Sequence, residues 1–213
     1  MRLHLYRAEG RRRAERLLFL AHNYGGNEFQ MATLAALLDP DGRFAIVCPR
    51  GGLATPDAAD GATFYRVDRS THTYDEASFA DALTSLDEAL DRACAEGRYE
   101  RAAAVIGGFS QGAGLALALA YGSGGSLRPA AVVAFSPPVH PRERVAWDLT
   151  AARGVAAFVA HGTEDGTFPV EASRRFAAEL VGAGGDATWR GYRARHQVTL
   201  EALADARDWL ANR

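Results

Sequence analysis

Short apolar runs of β-type residues alternate along this chain with longer stretches of helical period. That alternation limits the fold more than any other feature. Runs at residues 17–21, 45–48, 102–107, 130–135, 155–160 and 187–192 are short and almost uninterrupted, as expected of strands buried on both faces. Between them, residues 27–38, 77–95, 111–121, 170–181 and 200–210 carry the helical patterns. In 77–95, Phe79, Leu83, Leu86, Leu90 and Ala93 make one apolar stripe, which reads as a core-facing helix surface rather than a partner groove. Strands separated by helices predict a mostly parallel sheet with helices on both faces. Residues 2–7 suit an edge strand, residues 63–67 a minor strand or pocket-lining loop, and the Gly-, Pro- and Asp-rich 49–62 a loop. No linker or repeat interrupts the pattern, so residues 1–213 are expected to form one domain.

Composition removes several function classes. With 48% hydrophobic and 23% charged residues the chain is globular rather than fibrous or disordered. A net charge of −2 gives no general attraction to polyphosphate, so no nucleic-acid partner is expected. All 24 cationic residues are Arg. Without lysine there is neither a Schiff-base nucleophile nor a P-loop. The segment Gly112-Ala113-Gly114-Leu115-Ala116-Leu117 lacks the third glycine of a dinucleotide fingerprint. Cys48 and Cys94 show no metal-site spacing and read as buried free thiols; no metal and no cofactor are expected. The start, Met1-Arg2-Leu3-His4-Leu5-Tyr6, turns polar without a secretory apolar core, and no run of 18 apolar residues follows. A cytoplasmic location without stable membrane insertion is the expectation. Arg11-Arg12-Arg13 with Arg16 reads as a solvated hairpin turn.

In open parallel sheets, ligands bind beyond the carboxyl ends of the strands. The residues just after each run are therefore the functional candidates. Gly108-Phe109-Ser110-Gln111-Gly112 fits a strand–turn–helix in which a strained turn lifts Ser110 clear of the sheet. A serine hydroxyl needs a base. Of six histidines, His196 lies between the last strand and the last helix, the third place in a Ser…Asp…His order. His22 and His161 also end strands and read as satisfied imidazoles tying loops together. His4, His72 and His140 fall in loops or edges, with His72 kept as a pocket candidate. Asp165, followed by Gly166 and Pro169, is the orienting acid, with Glu164 as the fallback. An oxyanion needs two backbone donors: the N–H of Gln111, and that of Tyr24 on the loop loosened by Gly25 and Gly26.

These motifs in order resemble the small carboxylesterase, lysophospholipase and acyl-protein thioesterase group of α/β hydrolases. The resemblance rests on the Leu-Ala-His-Asn-Tyr-Gly-Gly-Asn-Glu loop at 20–28, Cys48-Pro49-Arg50-Gly51, residues 107–112, the 161–169 segment and His196. It implies an α/β-hydrolase fold and a serine hydrolase cleaving an ester or thioester through Ser110, His196 and Asp165. It implies Tyr24 and Gln111 as oxyanion donors and Phe64, Tyr65 and Phe168 as pocket lining. The short 136–154 connection leaves no room for a large cap domain. The expected partner is a small-molecule ester or thioester, with a homodimer left open. Two positions depart from the family pattern: Asn23 stands where Gly is usual, and Arg195 where Gly usually precedes the histidine. A lactone or dienelactone hydrolase, and a non-catalytic scaffold of this fold, are the alternatives.

Overall fold

The strand β2 (Arg16–Ala21) sends alternate side chains to opposite faces. Leu17 and Phe19 enter one apolar layer and Leu18 and Leu20 the other, all four fully buried. Every inner strand repeats this, because each is covered on both sides. The computed structural model describes residues 2–8, 14–56, 58–68, 70–71, 73–123, 128–142 and 144–213. Around β2 it places β1 (His4–Ala8), β3 (Phe44–Arg50), β4 (Val105–Phe109), β5 (Ala131–Phe135), β6 (Ala156–Gly162) and β7 (Ala187–Tyr192). The sheet order is β1-β3-β2-β4-β5-β6-β7. Only β1 runs antiparallel to its neighbour, with Tyr6 opposite Cys48, so the 2–7 run is the expected edge strand.

Among the described residues, five α-helices cover the sheet: α1 (Glu28–Leu38), α2 (Glu76–Gly97), α3 (Gln111–Tyr121), α4 (Val170–Gly182) and α5 (Leu200–Ala211). Phe79, Leu86 and Leu90 of α2, Leu115 and Leu117 of α3, and Phe176 and Leu180 of α4 pack on one face. Met31 and Leu38 of α1 with Leu203 and Leu210 of α5 pack on the other. The stripe on α2 is therefore core, as its period predicts. Three helices begin on side-chain caps: Asn27, Asp75 and Thr199 each accept the N–H three residues on. Cys48 and Cys94 are buried and unpaired. No described helix is long and apolar enough to cross a membrane, and no large cap domain stands over the sheet among the described residues.

Two boundaries differ from the sequence reading. Arg101–Ala103 form a 3-10 turn, and β4 starts only at Val105. The cause is the nearly buried Arg101 guanidinium, which pairs with Asp87 and Asp91 of α2 and pins the chain before it can extend. The 49–62 stretch is not wholly loop, since Leu53–Ala54 pairs with Ala62–Thr63. A second small hairpin, Val67–Asp68 with Thr73–Tyr74, follows it. Arg11–Arg13 and His72 lie outside the described residues.

Candidate active site

One residue separates β4 from α3, and it is Ser110, at φ 53° and ψ −118°. A non-glycine residue held there stores strain on the order of 1–3 kcal/mol. Two backbone bonds hold it. Ser110 N–H donates to Phe135 O (2.9 Å) and Gly114 N–H donates to Ser110 O (3.0 Å). The flanking glycines are steric necessities. A Cβ on Gly108 would stand 2.2 Å from Ala21 O, and one on Gly112 would stand 2.1 Å from the same oxygen.

The three candidate catalytic side chains meet in one line. Ser110 Oγ lies 2.8 Å from His196 Nε2, and His196 Nδ1 lies 2.7 Å from Asp165 Oδ2. An ionised carboxylate only accepts, so Nδ1 carries the ring proton and Nε2 is left to accept from the serine hydroxyl. The other carboxylate oxygen, Oδ1, accepts Thr167 N–H (2.8 Å) and Phe168 N–H (3.1 Å). Burial alone would raise the Asp165 carboxyl. The His196 hydrogen bond and the two N–H groups override it and hold the group below its ordinary value. Phe109 and Phe168 pack on His196 at ring separations of 5.0 and 5.4 Å, which limits the imidazole's freedom to turn. The geometry suits a nucleophile, a base and an orienting acid.

Glu164 points away, pairing with the exposed Arg193 at 3.2 Å. His161, fully buried, brings its Nε2 to 3.1 Å from Asp165 Oδ2, the oxygen that His196 Nδ1 approaches, but neither ring nitrogen makes a well-formed hydrogen bond, so it is not the satisfied imidazole expected. Burial lowers its affinity for a proton against the raising pull of Asp165. His22 is the loop-tying imidazole expected. Gly51 N–H donates to its Nε2 (2.9 Å) and its Nδ1 donates to Asn23 O (2.7 Å), with burial pushing its pKa down to about 4. His140 departs from expectation. It is buried, packed on Phe79 at 4.6 Å and Tyr74 at 4.9 Å.

A network that the sequence did not reveal links the elbow to the Tyr24 loop. Gln111 is buried, and its Oε1 accepts Thr63 Oγ1–H and Phe64 N–H (both 2.9 Å) while its Nε2 donates to Tyr65 O (3.1 Å). The next residue back, Ala62, closes two bonds on the loop: Gly25 N–H donates to Ala62 O (2.9 Å) and Ala62 N–H to Gly26 O (2.8 Å). Gly25, at φ 72°, allows the loop to turn there. The residue after the elbow serine therefore holds, through one strap, the segment that carries Tyr24. The only sequence signal was an amide at that position. Asn23, the departure from the family pattern, is not among the residues with positive φ, so it adds no such strain. Its Nδ2 donates to Tyr24 O (3.0 Å). Arg195 is an exposed loop residue.

A cavity of about 320 Å³ lies beside this arrangement, with Tyr65, Pro137, Pro138 and Phe168 among its walls. Phe64 is not among them. Its ring is buried against His22 at 4.6 Å, and it borders a separate depression with Leu3 and Ser78. An aromatic pair next to a loop signals burial without saying which of the two faces the cleft.

A family model described as phospholipase/carboxylesterase matches residues 7–213. The chain is similar to the Bacillus cereus carboxylesterase, with 25% identity and a TM-score of 0.84 over 99% of this chain and 94% of that one. It superposes on esterase PE8 with a TM-score of 0.83 at 23% identity, covering 100% and 99% of the two chains. It is 24% identical over 196 residues, 92% of each chain, to MhqD of Bacillus subtilis (strain 168). The chain belongs to the phospholipase/carboxylesterase family and is an ester-bond hydrolase of that kind.

Proposed function

We propose that the protein hydrolyses a small carboxylic ester or thioester through Ser110, His196 and Asp165. The observation that carries this is the unbroken hydrogen-bond line from the strained serine through the imidazole to a buried carboxylate. Ser110 Oγ attacks the carbonyl carbon as its proton passes to His196 Nε2. Asp165 stabilises the imidazolium that forms. The tetrahedral oxyanion takes hydrogen bonds from the N–H groups of Gln111 and Tyr24, on the two segments the strap ties together. The C–O or C–S bond then breaks, and the leaving group takes the proton from Nε2. Water, deprotonated by the same nitrogen, attacks the acyl-enzyme and releases the acid. Phe168 and Tyr65 line the pocket, and Phe64 supports it from behind. The two buried free thiols fit action in a reducing compartment such as the cytoplasm.

A fluorophosphonate should label Ser110, identified by peptide mass. Ser110→Ala should lose both labelling and p-nitrophenyl acetate turnover with an unchanged far-UV circular dichroism spectrum. An unlabelled native protein would point to the non-catalytic scaffold instead.

A further inference from the structure

The cavity beside the triad is apolar over most of its wall, through Val67, Pro137, Pro138, Val139, Phe168 and Ala172. Among its described lining residues one bears a full charge at neutral pH, Arg144. His140 also lines it, but burial and the neighbouring guanidinium lower its pKa to about 4 and leave it neutral. Arg144 is held in place. Its guanidinium carbon lies 4.8 Å from the centre of the Tyr74 ring, and Tyr74 packs in turn on Tyr65, Phe79 and His140. Stacking occupies a guanidinium's face and leaves its edge donors for a planar anion. Its ion-pair partner among the described residues is weak: Glu76 Oε1 is 3.6 Å from Arg144 Nε, with the Glu76 side chain 73% exposed, the kind of pair that contributes little. Two of its wall residues touch the candidate catalytic groups. Phe168 packs on His196, and the Tyr65 carbonyl is bonded to Gln111.

We propose that this cavity is a subsite for an ester whose one arm is apolar and ends in a carboxylate, and that Arg144 is the specificity-determining residue that receives it. The inference rests on the triad reading for where the ester bond sits. A mostly apolar cavity with one positioned cation in its wall rewards a substrate with matching parts: methylenes against the wall, an anion at the guanidinium. A neutral acyl chain of equal length leaves the guanidinium without an anion. A dianion without the methylenes forgoes the wall.

The test compares matched pairs by kcat/KM: mono-p-nitrophenyl adipate and pimelate against p-nitrophenyl hexanoate and heptanoate. A second set carries the carboxylate on the leaving phenol. The native enzyme should favour the anionic member about tenfold or more in one of the two sets, the scale of a hydrogen bond to a charged group. Arg144→Gln should abolish that ratio, Arg144→Glu should invert it, and Glu76→Gln should raise it. The ratio should also shrink with added salt. Equal ratios in native enzyme and Arg144→Gln for both sets would overturn the proposal. Calorimetry on Ser110→Ala keeps this separate from the chemistry. Monomethyl adipate should bind more tightly than methyl hexanoate there, and the preference should vanish when Arg144→Gln is added. A preference in binding without turnover in the native protein would count against the triad reading alone, whereas equal binding of the two esters with no anionic preference in the leaving-phenol set would count against the subsite.

Discussion

Replacing Gln111 with Met tests whether the residue after the elbow serine acts through its side chain. Methionine keeps the volume and removes the three polar contacts. Their loss is uneven. Thr63 Oγ1 also lies 2.8 Å from Tyr65 O, so its proton falls back on that carbonyl and keeps it paired. Phe64 N–H has no such alternative and becomes a buried orphan donor. One unsatisfied buried donor costs about 1–3 kcal/mol, which for a chain of this size is a fall in Tm of roughly 3–10 °C. The catalytic consequence travels further. Once Thr63–Tyr65 relaxes, Ala62 no longer fixes the Gly25–Gly26 turn, and the Tyr24 donor moves relative to Gln111 N–H. A fully lost oxyanion donor costs about 10²–10³ in kcat. A displaced one should cost less, about 10- to 100-fold, with KM changed by less than about threefold. Steady-state kinetics on p-nitrophenyl acetate and a thermal melt read both numbers. A Tm that falls while kcat stays within twofold would show that the strap stabilises the fold without setting the oxyanion hole, and the reasoning would be refuted.

Two further outcomes follow from the same geometry. Asp165→Asn puts an amide where His196 Nδ1–H needs an acceptor and should cost about 10⁴ in kcat, as in other triads. Glu164→Gln, on an exposed side chain paired with exposed Arg193, should cost less than about tenfold; the reverse ranking would move the acid by one residue. His22 and His140, both pushed down to about 4 by burial, stay neutral in the fold while the unfolded chain takes up protons below about pH 6.5. The unfolded state then binds more protons, so stability is full above about pH 6.5 and falls as the pH drops toward 4, by up to about 3 kcal/mol per histidine. Urea midpoints measured across that window should decline with acid and decline less in His140→Phe, and a flat profile would refute the argument.

The elbow was legible because its causes are local. Two glycines are forced by one carbonyl oxygen, and the strained serine sits between them, so the sterics are written in five consecutive residues. Asp165 and His196 were legible for a different reason: parallel strands deliver their successors to one edge, and strand ends can be read from apolar runs. Gln111 was read only for its backbone. Its side-chain partners lie 46 to 48 positions away on a segment with no period, and only the folded chain brings them together. Arg144 was invisible for a similar reason, since it lies in an irregular connection whose course is set by packing. Phe64 and Tyr65 show the limit of composition. Both are aromatic, adjacent and buried, yet they face opposite sides of their strap.

The single oxygen that crowds both elbow glycines belongs to Ala21, the last residue of β2, and the loop leading to Tyr24 departs from that same strand end. Any side chain added at position 108 or 112 must therefore push the start of that loop as well. For laboratory evolution this makes the Ser110 turn and the Tyr24 loop one inherited unit. Single substitutions at either glycine should be purged from selected libraries, and survivors should carry a compensating change at or beside position 21. Variation that the scaffold can absorb lies instead at Val67, Thr73, Tyr74, Val139 and Arg144, whose side chains line the cleft away from the elbow glycines. New substrate ranges should arise there, while the chemistry stays fixed.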